Sequence, residues 1–194
     1  MKTTNRPANF VVVLAAILSI WSVTTPVLAQ DCPEPIGRLP GDEISTLAVE
    51  GHYAYLGSGN TLLVADFSDP HAPSVVGWVD FPEEIDPFGT RVTSVAVSGG
   101  YAYVTRGWGG LRVIDVSVPS LPREVASMET SGYPYDVAVE GHYAYVVSGG
   151  HANVVTNASL LVFDVSAPSM PALVGTAVGF PGTGHFSAVA VADG

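Results

Sequence analysis

Lysine is nearly absent from this 194-residue chain: Lys2 is the only one. A single cysteine, Cys32, excludes an internal disulfide framework. Charged residues make up only 13% of the chain, and they are lopsided, with 7 Lys and Arg against 18 Asp and Glu and a formal net charge of −11. A surface so poor in cations repels phosphate backbones and anionic membranes, so nucleic acid is excluded as a partner, while cations and cationic partners are tolerated. Long apolar runs are scarce too. Phe10 to Ile20 is uncharged and apolar, but it is about half the roughly 20 residues a membrane-spanning helix needs. The mature chain is therefore expected to have no membrane span.

That run has a different use. Lys2 and Arg6 precede it, and Pro26-Val27-Leu28-Ala29 follows it. A positive start, an apolar centre and small residues after a helix breaker are the layout of a secretory signal peptide, with cleavage expected after Ala29. The predicted mature chain keeps five arginines and no lysine against all 18 acids. Cys32 lies just beyond the cut, but Gln30 and Asp31 stand where a lipidation motif would have small residues, so lipidation is disfavoured.

Internal repetition is the main signal. TLAVEGHYAYLGSG from Thr46, SVAVSGGYAYVTRG from Ser94 and DVAVEGHYAYVVSG from Asp136 align, and SAVAVADG from Ser187 begins a fourth copy. Val49, Val97, Val139 and Val191 are equivalent, at steps of 48, 42 and 52 residues, and Asp66, Asp115 and Asp164 recur at steps of 49. Each repeat reads as four strands. In the second they are expected at 93–98, 101–105, 111–116 and 123–128, with Gly99-Gly100 making the first tight turn and Glu50-Gly51 and Glu140-Gly141 doing so elsewhere. Tyr101 and Tyr103, two apart, share a face. Multi-strand repeats of this length indicate propeller blades. A four-stranded β-sandwich is the runner-up, but its strands would not recur with a fixed signature. The repeated Asp-Val-Ser-x-Pro segment is read as a structural turn: Asp and Ser bond nearby backbone and Pro stops the strand.

The pattern AVxGxYAYVxxGxxGLxVxDVSxPxxPxxVG, recurring from Thr46 to Val191, resembles the LVIVD-repeat family. The resemblance implies an exported or surface-attached, all-β propeller of four-stranded antiparallel blades, and it brings no catalytic motif. Here the propeller is incomplete: three blades and the first strand of a fourth. The expected layout is a signal peptide at 1–29, an N-terminal segment at 30–45 and blades from 46 to 194. Ile36 to Leu39 resembles the fourth-strand segment Ala172 to Thr176 and is expected to close a last blade that lies beyond this sequence. Ending inside a blade reads as a fragment. An isolated three-blade piece exposes apolar faces and strand edges, so self-association is expected if the chain ends at Gly194.

The resemblance also implies that ligands meet the loops on one face. Three stretches there carry candidates. Loop 80–91 holds Asp80, Glu83, Glu84 and Asp86, whose oxygens suit calcium. It lacks the regular acidic spacing of a helix-loop calcium site, so a solvated loop is the competing reading. Arg106-Gly107-Trp108-Gly109-Gly110 sets a tryptophan among glycines, where Trp108 would stack on a sugar or aromatic ligand beside Arg106. Packing of Trp108 between blades is the alternative. The insertion 149–159 is the most variable part of the repeats and contains His151, a third ligand candidate, and the sequon Asn157-Ala158-Ser159.

Other chemistry is not evident. His52 and His142 are equivalent turn residues, and His71, His151 and His185 are scattered without the close pairs of a zinc site. No glycine-rich stretch continues into Lys-Ser/Thr, and Gly57-Ser58-Gly59 is not a nucleophile elbow. No cofactor is implied. The expected function is a non-enzymatic binding or scaffold module contacting protein or glycan. An enzyme with its site on the loop face or in further blades, and a purely structural repeat, are the alternatives.

Overall fold

The computed structural model describes residues 43–81, 90–150, 158–179 and 187–192. The predicted signal peptide, the closing segment Ile36 to Leu39, Cys32, Glu83, Glu84, Asp86, His151, Asn157 and His185 lie outside the described residues. Among those described there is no α-helix, and no helix is long and apolar enough to cross a membrane.

Twelve strands among the described residues form three antiparallel sheets, each ordered as in the sequence. The first blade contains β1 (Thr46–Glu50), β2 (Tyr53–Ser58), β3 (Thr61–Asp66) and β4 (Ser74–Asp80). The second contains β5 (Val92–Ser98), β6 (Tyr101–Arg106), β7 (Gly110–Asp115) and β8 (Arg123–Met128), with a 3-10 turn at Gly107–Gly109. The third contains β9 (Tyr133–Glu140), β10 (Tyr143–Gly149), β11 (Ser159–Asp164) and β12 (Ala172–Val178).

The strands form where the repeat alternates small and branched residues. They turn where glycine permits a positive φ: Gly51 (62°), Gly99 (62°) and Gly141 (58°) open the first hairpin of their blades. In the second blade the strands match the expected bounds to within a residue at each end. β7 stops at Asp115 because the Val116 amide leaves the ladder and donates to the Gly100 carbonyl at 2.9 Å. Phe67 to His52 and Val165 to His142, both 2.8 Å, repeat that bond in the other blades. The third and fourth strands shift register once in every blade, between Val64 and Ala65, Val113 and Ile114, and Val162 and Phe163. An extra residue there bends and twists the outer strand.

The Asp-Ser turn is structural, as expected. The Asp66, Asp115 and Asp164 carboxylates accept the amides of Ser68 (2.7 Å), Ser117 (3.0 Å) and Ser166 (2.9 Å).

The core lies between blades. Tyr55, Leu62 and Val64 of the first blade pack with Val95, Val104 and Ile114 of the second. Tyr103, Leu111 and Val113 of the second pack with Val146, Leu161 and Phe163 of the third. Burying one such side chain stabilises the fold by about 1.5–3 kcal/mol. The second blade thus uses alternate strand positions to reach the blades on either side of it, and the tyrosines of the Tyr-x-Tyr pair face the same way, as their spacing requires.

Residues 187–192, where the fourth repeat begins, form no strand, since no second strand is present among the described residues to build a ladder. They come close to the third blade, where the Val189 amide donates to Asp136 at 2.8 Å.

Candidate functional site

The candidates separate according to which blade junction they enter. Arg106 ends β6 and faces the first blade. It is 1% exposed, and its guanidinium carbon lies 4.6 Å from the centre of the Phe81 ring, beyond the end of β4. A cation over an aromatic face gains electrostatic attraction that strengthens with desolvation. Arg106 is therefore built into the interior and does not flank Trp108 at the surface, contrary to the expectation from their closeness in sequence.

Trp108 goes the other way. It sits in the 3-10 turn between β6 and β7, and its ring meets Tyr133 of the third blade nearly perpendicularly, at 5.7 Å between centroids. Tyr133 in turn tilts against Tyr135 at 5.2 Å. Such edge arrangements match the positive rim of one ring to the negative face of another. The ring of Trp108 packs against the third blade, and 39% of the residue stays exposed. Tyr135 donates its hydroxyl to the Gly150 carbonyl at 2.5 Å, and burial raises the pKa of its phenol. Gly150 stands at the edge of the 149–159 insertion, so the aromatic row reaches from Trp108 to that segment.

Of the acidic loop candidates, Asp80 is described. It is exposed and accepts the Thr61 hydroxyl at 2.8 Å across β3 and β4. Among the described residues no group of three or more His, Cys, Asp or Glu could hold a metal ion.

Two features were missed in reading the sequence. The first is Asp136 on the innermost strand of the third blade. Its carboxylate accepts the Ser94 hydroxyl of the second blade at 2.5 Å, the Val137 amide at 3.0 Å and the Val189 amide at 2.8 Å. The signal was present: aligned repeats put an acid at 136 where the others have Thr46 and Ser94. The neighbouring position is also tied across blades, with Thr93 donating to the Pro134 carbonyl at 2.9 Å. The second is Trp78 on β4, directly opposite Leu63 and 62% exposed. Together with Leu47, Val49, Leu56 and Phe67 it lies on the first blade's open side, where those four residues line a recess of about 240 Å³.

Comparison with known proteins agrees with this architecture. The LVIVD repeat model matches residues 43–80, 89–130 and 131–178, one copy per blade. No curated protein matches the chain. Among solved structures, the chain is similar to the computationally designed Ika4 protein at 14% identity, covering 83% of this chain and 88% of that one with a TM-score of 0.60. It is also similar to the designed Ika8 protein at 14% identity and a TM-score of 0.55, covering 77% of this chain and 40% of that one. At such identity the likeness concerns the fold alone. With three matched repeats coinciding with three four-stranded blades, the chain belongs to the LVIVD-repeat family.

Proposed function

We propose that this chain is an exported or cell-surface β-propeller module that binds protein or glycan through the loops around Trp108 and performs no catalysis. The observation that carries this reading is Trp108 itself. A glycine-flanked 3-10 turn holds it against Tyr133, and the indole nevertheless stays partly in solvent. Fixing an amphipathic ring before binding lowers the ordering cost that a mobile side chain would add, and such rings dominate recognition surfaces. Export is supported by the N-terminal sequence pattern of Lys2, Arg6, the apolar run and Ala29. The acidic balance favours neutral or cationic ligands over anionic ones.

The test is a screen of the full chain on glycan and peptide arrays, with hits titrated by calorimetry. Trp108→Ala is expected to weaken a true hit at least tenfold while the far-ultraviolet spectrum stays that of a strand protein. A hit that Trp108→Ala binds equally well, or arrays without any hit, would remove this loop as the binding site. Export is checked separately, by expressing the chain from Met1 and sequencing the exported N-terminus, expected at Gln30.

A further inference from the structure

One short connection touches the Trp108 turn at both of its ends. Glu129 begins the chain between β8 and β9, and Tyr133 ends it by opening β9. Gly110 stands two residues past the indole, and a Cβ there would lie 3.3 Å from Glu129 Cα. At the other end the Trp108 ring meets Tyr133. The connection therefore runs alongside the turn, and Glu129 and Trp108 belong to the same end of the second blade. The connection is also fixed in place. The Thr130 hydroxyl donates to the Gly132 carbonyl and the Ser148 hydroxyl of β10 donates to the Ser131 carbonyl, both at 3.0 Å. Ring and carboxylate thus stand on backbone that is set before a ligand arrives, which lowers the ordering cost of binding.

Charge is the second, independent observation. Each arginine among the described residues is already engaged. Arg91 pairs with Glu43 at 3.5 Å and Arg123 with Asp115 at 3.5 Å, while Arg106 lies over the Phe81 ring. Arg112 braces the Trp108 turn from within its own blade, its Nε donating to the Gly109 carbonyl at 3.1 Å. Its charge is met by Glu124, also at 3.1 Å. Glu129 is exposed, and no ion pair among the described residues uses it. The local balance of Arg112, Glu124 and Glu129 is one uncompensated negative charge beside an exposed indole.

We propose that Trp108 and Glu129 together receive an arginine side chain from an exposed segment of a protein partner. The indole face attracts a cation, and it attracts most strongly one that can lie flat on it. A guanidinium is planar, so it stacks on the ring and still keeps N–H groups at its edge for a carboxylate. A neutral saccharide would stack on the same ring but leave the Glu129 charge uncompensated. The formal charge of the whole chain, −11, also draws a basic segment towards this face and repels an acidic one. This inference rests on the loops around Trp108 being the binding site, and it selects protein over glycan as the ligand.

The experiment is a titration of the full chain, followed through the backbone amide signals of the turn 107–110 in proton–nitrogen NMR. The probes are a short glycine-serine peptide carrying one arginine, the same peptide with the uncharged analogue citrulline, and cello- and chito-oligosaccharides. The arginine peptide is expected to bind at least about tenfold more tightly than the citrulline peptide. Trp108→Ala should abolish that preference. Glu129→Gln keeps the side chain's shape at an exposed position and should weaken the arginine peptide about threefold. Raising sodium chloride from about 0.05 to about 0.5 M should weaken it in the parent and do so less in Glu129→Gln. Equal binding of the two peptides, arginine binding untouched by Glu129→Gln, or an arginine peptide that moves none of these amides would overturn the cationic ligand. An oligosaccharide that binds the parent and Glu129→Gln alike but not Trp108→Ala would also overturn it, while leaving the loops as a glycan site. Binding that survives Trp108→Ala would remove the loops themselves, and the broader reading would fall with the arginine.

Discussion

Asp136 holds Val189 across 53 positions of sequence, its carboxylate oxygen 2.8 Å from the Val189 amide. The other oxygen takes the Ser94 hydroxyl at 2.5 Å and the Val137 amide at 3.0 Å. One side chain thus ties the innermost strands of two blades to the start of the next repeat. Asp136→Ala leaves three donors without this acceptor, each costing about 1–3 kcal/mol if it stays buried and unsatisfied. The half-buried site lets water replace part of the loss. A total destabilisation of about 1–3 kcal/mol is therefore expected in urea unfolding, with little change in the slope. Hydrogen exchange at the Val189 amide is expected to accelerate at the same time. Unchanged exchange at Val189 would show that the bond contributes nothing to ordering this segment.

A smaller change tests how closely the blades approach one another. Gly77→Ala places a methyl group 2.3 Å from the Pro119 carbonyl oxygen, a backbone atom that cannot step aside as the end of a flexible side chain could. Overpacking of this kind costs about 1–3 kcal/mol. Thermal unfolding should move down by several degrees, and the first-to-second junction should loosen, visible as faster exchange of amides in β4 and β8. An unchanged melting temperature would mean that the proline turn is not seated on Gly77.

Acid should weaken the fold through the three repeated turns. Hydrogen bonds from Ser68 and Ser166, chiefly through their backbone amides, hold the Asp66 and Asp164 carboxyls below the ordinary carboxylate range, and for Asp115 the Ser117 hydroxyl is the main cause. A pKa lowered by folding contributes stability above the unfolded value, near 3.9, and that contribution disappears as pH falls through the folded value. Stability should therefore be flat in this respect near neutrality and decline below about pH 4. Replacing all three residues with Asn should flatten that acid arm relative to the parent chain. An identical acid arm in the triple variant would assign the loss to other carboxylates.

The repeats themselves were legible because their causes are local. Alternation along a strand, a glycine at a positive-φ turn and an Asp-Ser-Pro stop each act within a few residues. The second blade's strands accordingly fell where expected. Arg106 was not legible for the opposite reason. Its partner Phe81 lies in the connection from the preceding blade, 25 residues earlier, and a sequence in which Arg106 and Trp108 flank one glycine gives no sign that the two point to opposite junctions. Asp136 fell between these cases, visible as an odd residue in the alignment but uninterpretable until Ser94 and Val189 were brought beside it. Trp78 was overlooked because one exposed apolar residue on an outer strand is unremarkable. Only the open face around it gives it meaning.

Core truncation should separate the blade junctions from the surface. Phe163 is fully buried between the second and third blades. Phe163→Ala is expected to cost about 3–5 kcal/mol through lost contacts and the cavity left behind. Leu121, on the exposed second-blade turn, is the control. Leu121→Ser should stay within about 0.5 kcal/mol of the parent. Equal effects at the two positions in urea unfolding would contradict a core located between the sheets.

The buried guanidinium allows the most discriminating measurement of a single pair. Arg106→Ala removes a charge and the packing of a long side chain, so its total cost does not isolate the contact with Phe81. A double-mutant cycle does: Arg106→Met keeps an extended side chain without the charge, Phe81→Leu keeps an apolar group without the ring face, and the double variant completes the square. For a desolvated cation 4.6 Å from the ring centre, the coupling should be about 0.5–2 kcal/mol in favour of the native pair. A coupling near zero would mean that the ring supplies only apolar cover. In that case Arg106→Met alone should cost as much in the Phe81→Leu background as in the parent.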